Sequence, residues 1–598
     1  MSKKIIRSDR QLTGSRLCQP NKIVPSIKRE SEDISTSSAS AKKVKVTVED
    51  QVTVDLKKHY RIIDFSLVFS TIATLVKCVK CDGKVNFHST KKEGLAFNIE
   101  VSCESCKQIT NVPSSARVNS GIYEVNYRFV FVMRILGLGL VGCEKFCGLM
   151  DLSSSFLSRP TYNDYVKKMC STVKEVANRF FLSATKEEKA ATTEEKKTED
   201  ANELNVSGDI TWKKGGFSSL FGVTSLIGYF TGKVLDIYIQ SSYCHECKTW
   251  EYKLNSAEYE EWHEAHINAG KCRANHTGAV GNMKVEAIKT MFQRSVKNGV
   301  RYRNYISDGD SKVYSGLVNS KPYGDDFSIV KKECVEHLQK IMGTRLREIV
   351  KKTVVDTETK AGKKIKRKNL SGKEKLTAKI IDKLTVYYGL VIRRYSDSVE
   401  NMKNAIWATF FHYSSTDENP QHKKCPSGAD SWCEWQKAAA ANALDSFRHT
   451  YSALPKDVLD AIKPIYEDLS KDALLERCVG GFTQKNNKSL NQLIWRISPK
   501  YLSGAFVIVE IAAYVAASVF NEGSFALLTF MQDMGISSGS SAHDWARSTD
   551  SIRISRAEQE AERQTKEGRI RHRQKQKGAL VIMDDSNILY GSGIDDSV

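Results

Sequence analysis

The sequence contains few residues that interrupt regular structure. It has 10 prolines and 36 glycines among 598 residues, which excludes a collagen-like or proline-rich chain. The start, Met1-Ser2-Lys3-Lys4, carries no apolar segment, so we expect no signal peptide. Residues 1–50 contain no aromatic residue and hold eleven Lys and Arg against six Asp and Glu. Because this composition cannot supply a hydrophobic core, it predicts a disordered basic arm.

Uncharged runs long enough to cross a membrane are also scarce. The stretch from Tyr127 to Cys143 contains two arginines, and the stretch from Tyr501 to Phe520 carries Glu510 near its middle. A charged side chain at the centre of a bilayer is costly, so both stretches predict buried helices. No membrane partner is expected.

Positive charge is the dominant feature of what is present. Lys and Arg total 90 against 70 Asp and Glu, which gives a formal net charge of +20 and a pI near 9.1. Such an excess makes a polyanion, most simply DNA, the first partner to consider. The basic runs that could contact phosphate, or could equally be solvated, are 1–50 with its Lys42-Lys43-Val44-Lys45, then Lys363 to Lys368, and Arg569 to Lys577. Since Lys42 to Lys45 also suits a nuclear import signal, we expect a nuclear protein.

Fifteen cysteines in a chain without a secretion signal favour metal sites over disulfides. Cys78-x2-Cys81 and Cys103-x2-Cys106 are two knuckles separated by 21 residues. This spacing is typical of a zinc ribbon, in which four thiolates hold a structural zinc ion and leave no open position. Reduced structural thiols are the alternative.

Two further groups combine cysteine with histidine. Cys244-x2-Cys247 is followed by Cys272, with His266 as the preferred fourth zinc ligand and His263 as the alternative. His412, His422, Cys425 and Cys433 form the third group, for which zinc competes with surface histidines and buried cysteines.

The middle of the chain alternates between extended and helical patterns. The predicted elements, in order, are strands Leu204–Ile210, Leu220–Phe230 and Lys233–Ser241, a helix Lys284–Ser295, and strands Arg301–Ile306 and Phe327–Lys331. Three antiparallel strands, a helix and two further strands are the element order of a ribonuclease-H-like α/β fold with a mixed sheet.

Acidic residues lie at the ends of two of these strands. Asp209 ends the first, and Asp308 and Asp310 come just after the fourth. Because these strands are neighbours in a ribonuclease-H-like sheet, Asp209 and Asp308 would approach each other. Paired carboxylates there could bind two Mg²⁺ ions for phosphoryl transfer. A helix cap and a turn residue are the alternative roles.

From about Cys78 to Ile554 the chain resembles the Mutator-like transposase domain found in animal proteins. The matching stretches, in family order, are Ser207 to Leu220 (SGDITWKKGGFSSL), Ser307 to Lys312 (SDGDSK), Lys332 to His337 (KECVEH), Met342 to Leu346 (MGTRL), Ser431-Trp432-Cys433, Thr483-Gln484, Ser489 to Trp495 (SLNQLIW) and Pro499-Lys500.

The resemblance implies a DDE-type transposase that cleaves DNA and transfers strands at terminal inverted repeats with Mg²⁺ or Mn²⁺. It implies a ribonuclease-H-like core interrupted by a large helical insertion. Asp209 and Asp308 would be the first two metal-binding acids, with Asp310 close to them. Cys334 and His337 match the family's Cys/Asp-x2-His signature, for which metal-binding, structural and catalytic roles remain open.

The third acid departs from the family pattern. The family reads Asn-Glu-Ser where this chain has Asn487-Lys488-Ser489, and an acid that usually follows Met283 is replaced by Lys284. Glu286 could partly substitute for the latter, and Glu476 could reach the site. An ammonium group about 4 Å from a metal ion costs up to roughly 4 kcal/mol per unit charge at an effective dielectric of about 20. We therefore expect impaired catalysis.

The interpretation that follows is a Mutator-like transposase or a DNA-binding protein derived from one, with structural zinc and a weakened catalytic metal site. The alternatives are a domesticated, non-enzymatic DNA-binding protein and a zinc-ribbon adaptor that binds protein, and a homo-oligomer remains open. The predicted divisions are a basic arm (1–59), zinc ribbon (60–115), helical region (116–182), charged linker (183–203), first part of the core (204–345), helical insertion (346–480), C-terminal part of the core (481–535) and basic tail (536–598).

Overall fold

The computed structural model describes residue 43 and the ranges 52–197, 201–214, 219–309, 311–358, 364–429, 431–501 and 505–564. Most of the predicted basic arm, Asp310, Lys363 and the run from Arg569 to Lys577 lie outside these residues. All described residues belong to one compact unit that begins at Ser38.

The described residues form a mixed α/β structure, as the sequence predicted. The strands are β1 (Val85–Glu93), β2 (Ala96–Cys103), β3 (Ile109–Pro113), β4 (Glu203–Trp212), β5 (Phe221–Gly228), β6 (Val234–Ser241), β7 (Arg301–Ser307), β8 (Val330–Glu333), β9 (Val354–Glu358) and β10 (Lys364–Lys368). The helices are α1 (Phe65–Leu75), α2 (Glu124–Ile135), α3 (Leu140–Leu149), α4 (Arg159–Lys196), α5 (His245–Trp250), α6 (Ala257–Asn268), α7 (Val280–Ser295), α8 (Ser311–Ser320), α9 (Val335–Lys352), α10 (Ala378–Arg394), α11 (Val399–His412), α12 (Glu434–Ala440), α13 (Lys456–Leu469), α14 (Asp472–Leu475), α15 (Lys485–Ile497), α16 (Phe506–Glu522), α17 (Phe525–Asp533) and α18 (Ser540–Gln564).

The central sheet has five strands in the order β6-β5-β4-β7-β8. β4, β5 and β6 are antiparallel neighbours, whereas β7 and β8 run parallel to β4. The turn between β5 and β6 contains Gly232 at φ +64°, a conformation that glycine adopts at little cost. The five predicted strands are all present, with the last one shifted from Phe327–Lys331 to Val330–Glu333.

One face of this sheet is covered by α4 and α16. Their apolar side chains form one core with residues of β5 and β6, among them Val173, Ala177, Val515 and Ile237. The run from Tyr501 to Phe520 is therefore the buried helix that the sequence predicted, although it begins at Phe506. Across the part of the chain that the structure describes, no helix combines the length and apolarity that crossing a membrane requires.

The prediction of a charged linker over residues 183–203 is wrong for most of that range. Residues 183–196 are the last part of α4, because Lys, Glu and Ala are good helix formers. Glu188 and Thr192 in this segment are fully buried. The Glu188 carboxylate accepts hydrogen bonds from the Phe230 and Thr231 backbone N–H groups, at 2.9 and 2.8 Å, and thereby holds the β5–β6 turn.

The predicted basic tail also begins as packed structure. α18 contains the buried Asp550, whose carboxylate accepts hydrogen bonds from the Ser524 N–H at 2.8 Å. The Arg553 guanidinium donates to the Val519 and Phe520 carbonyls, at 2.7 and 2.9 Å, near the end of α16. Arg553 is therefore bonded to the packed part of the protein, within the segment predicted as a basic tail.

Two groups of elements pack separately from the central sheet. Helices α9, α10, α11, α13 and α14 enclose a second core that includes Leu346, Tyr388 and Tyr466, and they lie between β8 and α15 in sequence. β1, β2 and β3 form a separate three-stranded sheet, on which α1 packs through Phe69 against Phe87, with ring centroids 5.2 Å apart.

We expect Glu188→Ala to lower the free energy of unfolding by about 2–3 kcal/mol, because it leaves the buried N–H groups of the β5–β6 turn without their acceptor. Urea unfolding measures this effect. Glu175→Ala, an exposed position on the same helix, is the matched control and should change stability little. Equal losses in both variants would contradict the role assigned to Glu188.

Candidate active site and metal centres

Asp209 and Asp308 lie at equivalent positions on adjacent parallel strands. The register of β4 and β7 pairs Ser207 with Ile306. Asp209 is two residues beyond Ser207, still within β4, and Asp308 is two residues beyond Ile306, just after β7 ends. Because neighbouring parallel strands keep step, residues 209 and 308 lie at the same edge of the sheet, close enough for the charge of Asp308 to act on the Asp209 carboxyl group.

The surroundings of Asp209 are polar but largely closed to solvent. Its carboxylate accepts hydrogen bonds from the Ile210 N–H at 2.8 Å and from Asn491 Nδ2 at 3.1 Å, and Lys284 Nζ lies 3.9 Å away. Burial raises the pKa of Asp209; the Lys284 charge opposes this rise and the Asp308 charge adds to it. Two carboxylates placed together in this way need a cation beside them, and Lys284 supplies one.

A row of polar side chains on α15 and its N-cap attaches this helix to the strand ends. Gln484 Nε2 donates to the carbonyls of Gly208 and Ile306, at 3.2 and 3.1 Å, and so bridges β4 and β7 immediately before the two acids. Asn487 is fully buried and its Oδ1 accepts from Ser207 Oγ at 2.7 Å. Trp495 Nε1 donates to Thr211 Oγ1 at 2.8 Å.

These helix residues were not predicted as site residues. Gln484, Asn487, Asn491 and Trp495 are separated by three, four and four positions, so they share one helix face. Three amide side chains and one tryptophan at this spacing, in a helix whose other buried residues are apolar, are the signal that could have identified these four residues.

Lys488 lies on the same helix but makes a different contact. Its ammonium group donates to Glu336 Oε2 at 3.2 Å, and Lys485 Nζ lies 3.6 Å from Glu336 Oε1. Burial lowers the pKa of Lys488, but the hydrogen bond and charge of Glu336, with the charges of Cys334 and Asp308, raise it overall. Glu336, on the first turn of α9, was not predicted as a site residue.

Glu286, one of the other acids considered from sequence, has a partner of its own. Glu286 Oε2 lies 2.7 Å from His276 Nδ1. Glu476 is in a 3₁₀ helix, Glu476–Cys478, where its carbonyl accepts from Lys332 Nζ at 3.3 Å.

Cys334 and His337 both lie beside the loop that carries Asp308. The Cys334 N–H donates to the Ser307 carbonyl at 3.4 Å, and its buried side chain has a pKa raised by burial. A Cβ atom on Gly309, which has φ +76°, would lie 3.2 Å from His337 Nε2. Among the described residues, these two are not part of any cluster of three or more potential metal ligands.

The cysteines of the first predicted zinc group come together at one end of the β1–β2–β3 sheet. Cys78 Sγ lies 3.6 Å from Cys106 Sγ, and Cys81 Sγ lies 3.5 Å from Cys103 Sγ. The two turns pack so closely that a Cβ atom on Gly83 would lie 2.5 Å from Ser105 Oγ. Four thiolates around one zinc ion would be about 3.8 Å apart for Zn–S bonds of about 2.3 Å, so the group fits zinc.

The second group lies on the segment that leaves β6. Cys244 Sγ is 3.3 Å from His266 Nε2, and Cys247 Sγ is 3.6 Å from Cys272 Sγ. Burial raises the pKa of Cys244, yet hydrogen bonds from backbone N–H groups and from His266 bring it down to about 6. The ring of His263 stacks instead on Tyr259, with centroids 5.3 Å apart. His266 is therefore the histidine in the cluster, and Cys244, Cys247, His266 and Cys272 could hold zinc.

The third group lies between α11 and α12. Cys433 Sγ is 3.4 Å from His422 Nδ1, and Cys425 Sγ is 3.9 Å from His412 Nδ1. The other ring nitrogen of His422 lies 2.8 Å from Ser415 Oγ. His412, His422, Cys425 and Cys433 could likewise hold zinc.

Three residues that support this group were not identified from sequence. His449 Nε2 lies 2.9 Å from His422 Nε2, and its Nδ1 lies 2.6 Å from Asp417 Oδ1. Ser415 Oγ contacts both histidines. Partners of this kind fix the ring orientation of a metal-binding histidine, but nothing in their sequence spacing predicts that they meet.

We expect the purified protein to contain three zinc ions, and Cys433→Ser to contain two, because losing one thiolate of a four-ligand site greatly weakens zinc binding. Zinc content per chain can be measured by atomic emission. Cys170→Ser changes a buried thiol outside the three clusters and should keep all three ions. A zinc content unaffected by Cys433→Ser would contradict a zinc site in this group.

Comparison with known proteins agrees with the resemblance seen in the sequence. The family model described as Mutator-like transposase matches residues 59–433, which is more than half of the chain. This range includes both acids and all three Cys/His clusters, and it ends before Lys488. Neither the curated proteins nor the solved structures that were compared gave a match. The chain therefore belongs to the Mutator-like transposase family.

Proposed function

We propose that the protein acts on DNA through a DDE-type metal centre built on Asp209 and Asp308, with a catalytic rate limited by the lysines beside it. The reaction would be cleavage and strand transfer at terminal inverted repeats. The observation that supports this proposal is the register of β4 and β7, which brings residues 209 and 308 to the same edge of the sheet, where Gln484 joins the two strands.

The strand order supports a ribonuclease-H-like core. The first strand of the sheet, β4, is central, the next two extend the sheet on one side, and the last two extend it on the other. Helices α9 to α14 would be the helical insertion, and α15 follows them and contacts the strand ends. The chain leaves the central sheet after β8 and comes back to it at Gln484. An insertion at this point therefore does not interrupt the edge of the sheet that carries Asp209 and Asp308.

The residues at this edge fit divalent cations, because Mg²⁺ and Mn²⁺ prefer carboxylate oxygens. Asp209 and Asp308 would hold the ions, which when bound activate the attacking oxygen and stabilise the leaving oxygen. Asn491 and the Ile210 N–H orient the Asp209 carboxylate, at 3.1 and 2.8 Å. The Ile210 N–H holds Oδ1 and Asn491 holds Oδ2, so both oxygens of the carboxylate are fixed in orientation.

Lys284 and Lys488 are the reason for expecting weak turnover. The Lys284 ammonium group lies 3.9 Å from the Asp209 carboxylate, and its side chain is 9% exposed, so it has little room to move away. Lys488 is 47% exposed and can turn toward solvent. Lys284 is therefore the stronger obstacle to a cation beside Asp209.

A second candidate function is DNA binding without catalysis. Lys488 favours it, because its half-exposed ammonium group could neutralise a DNA phosphate where a metal ion would otherwise do so. In both cases the partner is DNA, the location is the nucleus, and the three Cys/His clusters hold structural zinc. The zinc-ribbon segment and the helices after it, residues 60–182, would contact transposon ends.

A strand-transfer assay on inverted-repeat DNA, with Mg²⁺ and with Mn²⁺, separates the two functions. We expect weak activity in the unmodified chain and at least a tenfold increase in Lys488→Glu, because this change removes a positive charge and adds a ligand. Asp209→Asn should abolish whatever activity is present.

Lys383→Glu, an exposed lysine of α10 that is distant in sequence from the acids and from the Cys/His clusters, is the control for the change of net charge. Robust activity of the unmodified chain would disprove the predicted impairment. Salt-dependent DNA binding without cleavage in any variant would favour the second candidate.

A further inference from the structure

We propose that Arg134, Lys213 and the N-terminus of α3 form a binding site for a phosphate group. Lys213 follows Asp209 by four residues, and the site uses none of the acids described above. The assignment of this phosphate to the DNA backbone rests on the proposed function, whereas phosphate binding itself does not.

The guanidinium group of Arg134, in the last turn of α2, is buried without an anionic partner. Arg134 is 8% exposed, and its Nε has no hydrogen-bond partner. Burial lowers the pKa of Arg134, and the ionisable groups near enough to oppose this are Tyr162 and Cys143. Burial raises the pKa of each of these two groups to about 12, so both are neutral at pH 7. Within the part of the chain that the structure describes, the charge of Arg134 therefore has no anionic side chain beside it.

A second buried cation, Lys213, comes directly after the last residue of β4. Lys213 is 7% exposed, and its ammonium group donates to Ser498 Oγ at 3.2 Å. Burial lowers the pKa of Lys213, and the charge of Arg134 lowers it further. Two buried cations that repel each other are unfavourable unless an anion lies between them. A phosphate group would supply negative charge to both.

The N-terminus of α3 also favours an anion at this place. Gly139 is its N-cap, and no side chain caps the first N–H groups of the helix. A Cβ atom on Gly139 would lie 2.9 Å from Arg134 Nη2, so the guanidinium group lies against this helix end. Free N–H groups and the positive end of the helix dipole bind phosphate readily. The Tyr162 hydroxyl, which is buried and has no hydrogen-bond partner, is a further donor near Arg134.

The site is open to solvent at the loop between α2 and α3 and is close to the candidate active site. Leu138 and Val141, on this loop and at the start of α3, are 39% and 69% exposed. Asp209 and Lys213 are four residues apart along an extended segment, which corresponds to about 13 Å. Each strand of a DNA duplex carries a phosphate roughly every 3.4 Å along the helix axis. DNA that reaches the acids can therefore place another of its phosphates at Arg134 and Lys213.

The first test is binding of inorganic phosphate to the full chain, measured by calorimetric titration at constant ionic strength with no divalent cation other than the bound zinc. We expect saturable binding that is weakened by roughly tenfold or more in Arg134→Met and in Lys213→Met, because each variant removes a charged hydrogen-bond donor. Lys383→Gln changes an exposed lysine of α10 and should bind phosphate as the unmodified chain does.

The unfolding temperature separates a phosphate site from a purely structural role of Arg134. Without phosphate, Arg134→Met should unfold at the same temperature as the unmodified chain or at a higher one, because it removes an uncompensated buried charge. With phosphate, the unmodified chain should become more stable and Arg134→Met should not. Absence of phosphate binding to the unmodified chain, or unchanged binding in both methionine variants, would overturn the proposal.

DNA binding identifies the source of the phosphate group. If a DNA phosphate occupies the site, both methionine variants should bind duplex DNA more weakly and lower the slope of log affinity against log salt by about one, whereas Lys383→Gln should not. If the variants lose phosphate binding but bind DNA normally, the site stands and its ligand is free phosphate. The proposed function fails by a different result, namely strand transfer that is unaffected by Asp209→Asn.

Discussion

The attachment of α15 to the ends of β4 and β7 is the contact on which the candidate site depends. Gln484 uses one amide group to satisfy two strand carbonyls, and Asn487 is buried against Ser207. A buried amide that makes several hydrogen bonds is costly to displace, because each unmet partner would lose its hydrogen bond. This attachment brings residues from the far end of the chain to Asp209 and fixes where Lys488 and Asn491 lie.

The acids and lysines around this attachment form a cluster in which positive and negative charges lie close together. The acids are held close together by strand register, which the sheet sets regardless of their repulsion, and the lysines lie beside them. Burial of the Asp209 carboxyl makes an isolated charge unfavourable, and the Lys284 ammonium group beside it offsets part of that cost. Under the proposed function, replacement of this ammonium group by a divalent ion would be the difference between binding and catalysis.

The three Cys/His clusters show which contacts can be predicted from the spacing of residues in the sequence and which cannot. Two Cys-x-x-Cys knuckles predict a four-thiol group because each knuckle is a local turn, and both turns are found at one end of a small sheet. The choice between His263 and His266 was harder, since one helical turn separates them and only the packing of α6 directs His266 inward. The contact of His449 with His422 joins residues 27 positions apart, and no local pattern marks it.

By itself the sequence determined the strands, their order and the two acids, because strand periodicity and residue type are local properties. It also determined that Lys occupies positions 284 and 488. Only the tertiary structure decided that residues 183–196 continue a helix, since burial of Glu188 depends on the β5–β6 turn that it holds. Only the tertiary structure placed Glu336 against Lys488, because a contact between residues 152 positions apart follows from how α9 and α15 pack and not from either segment alone.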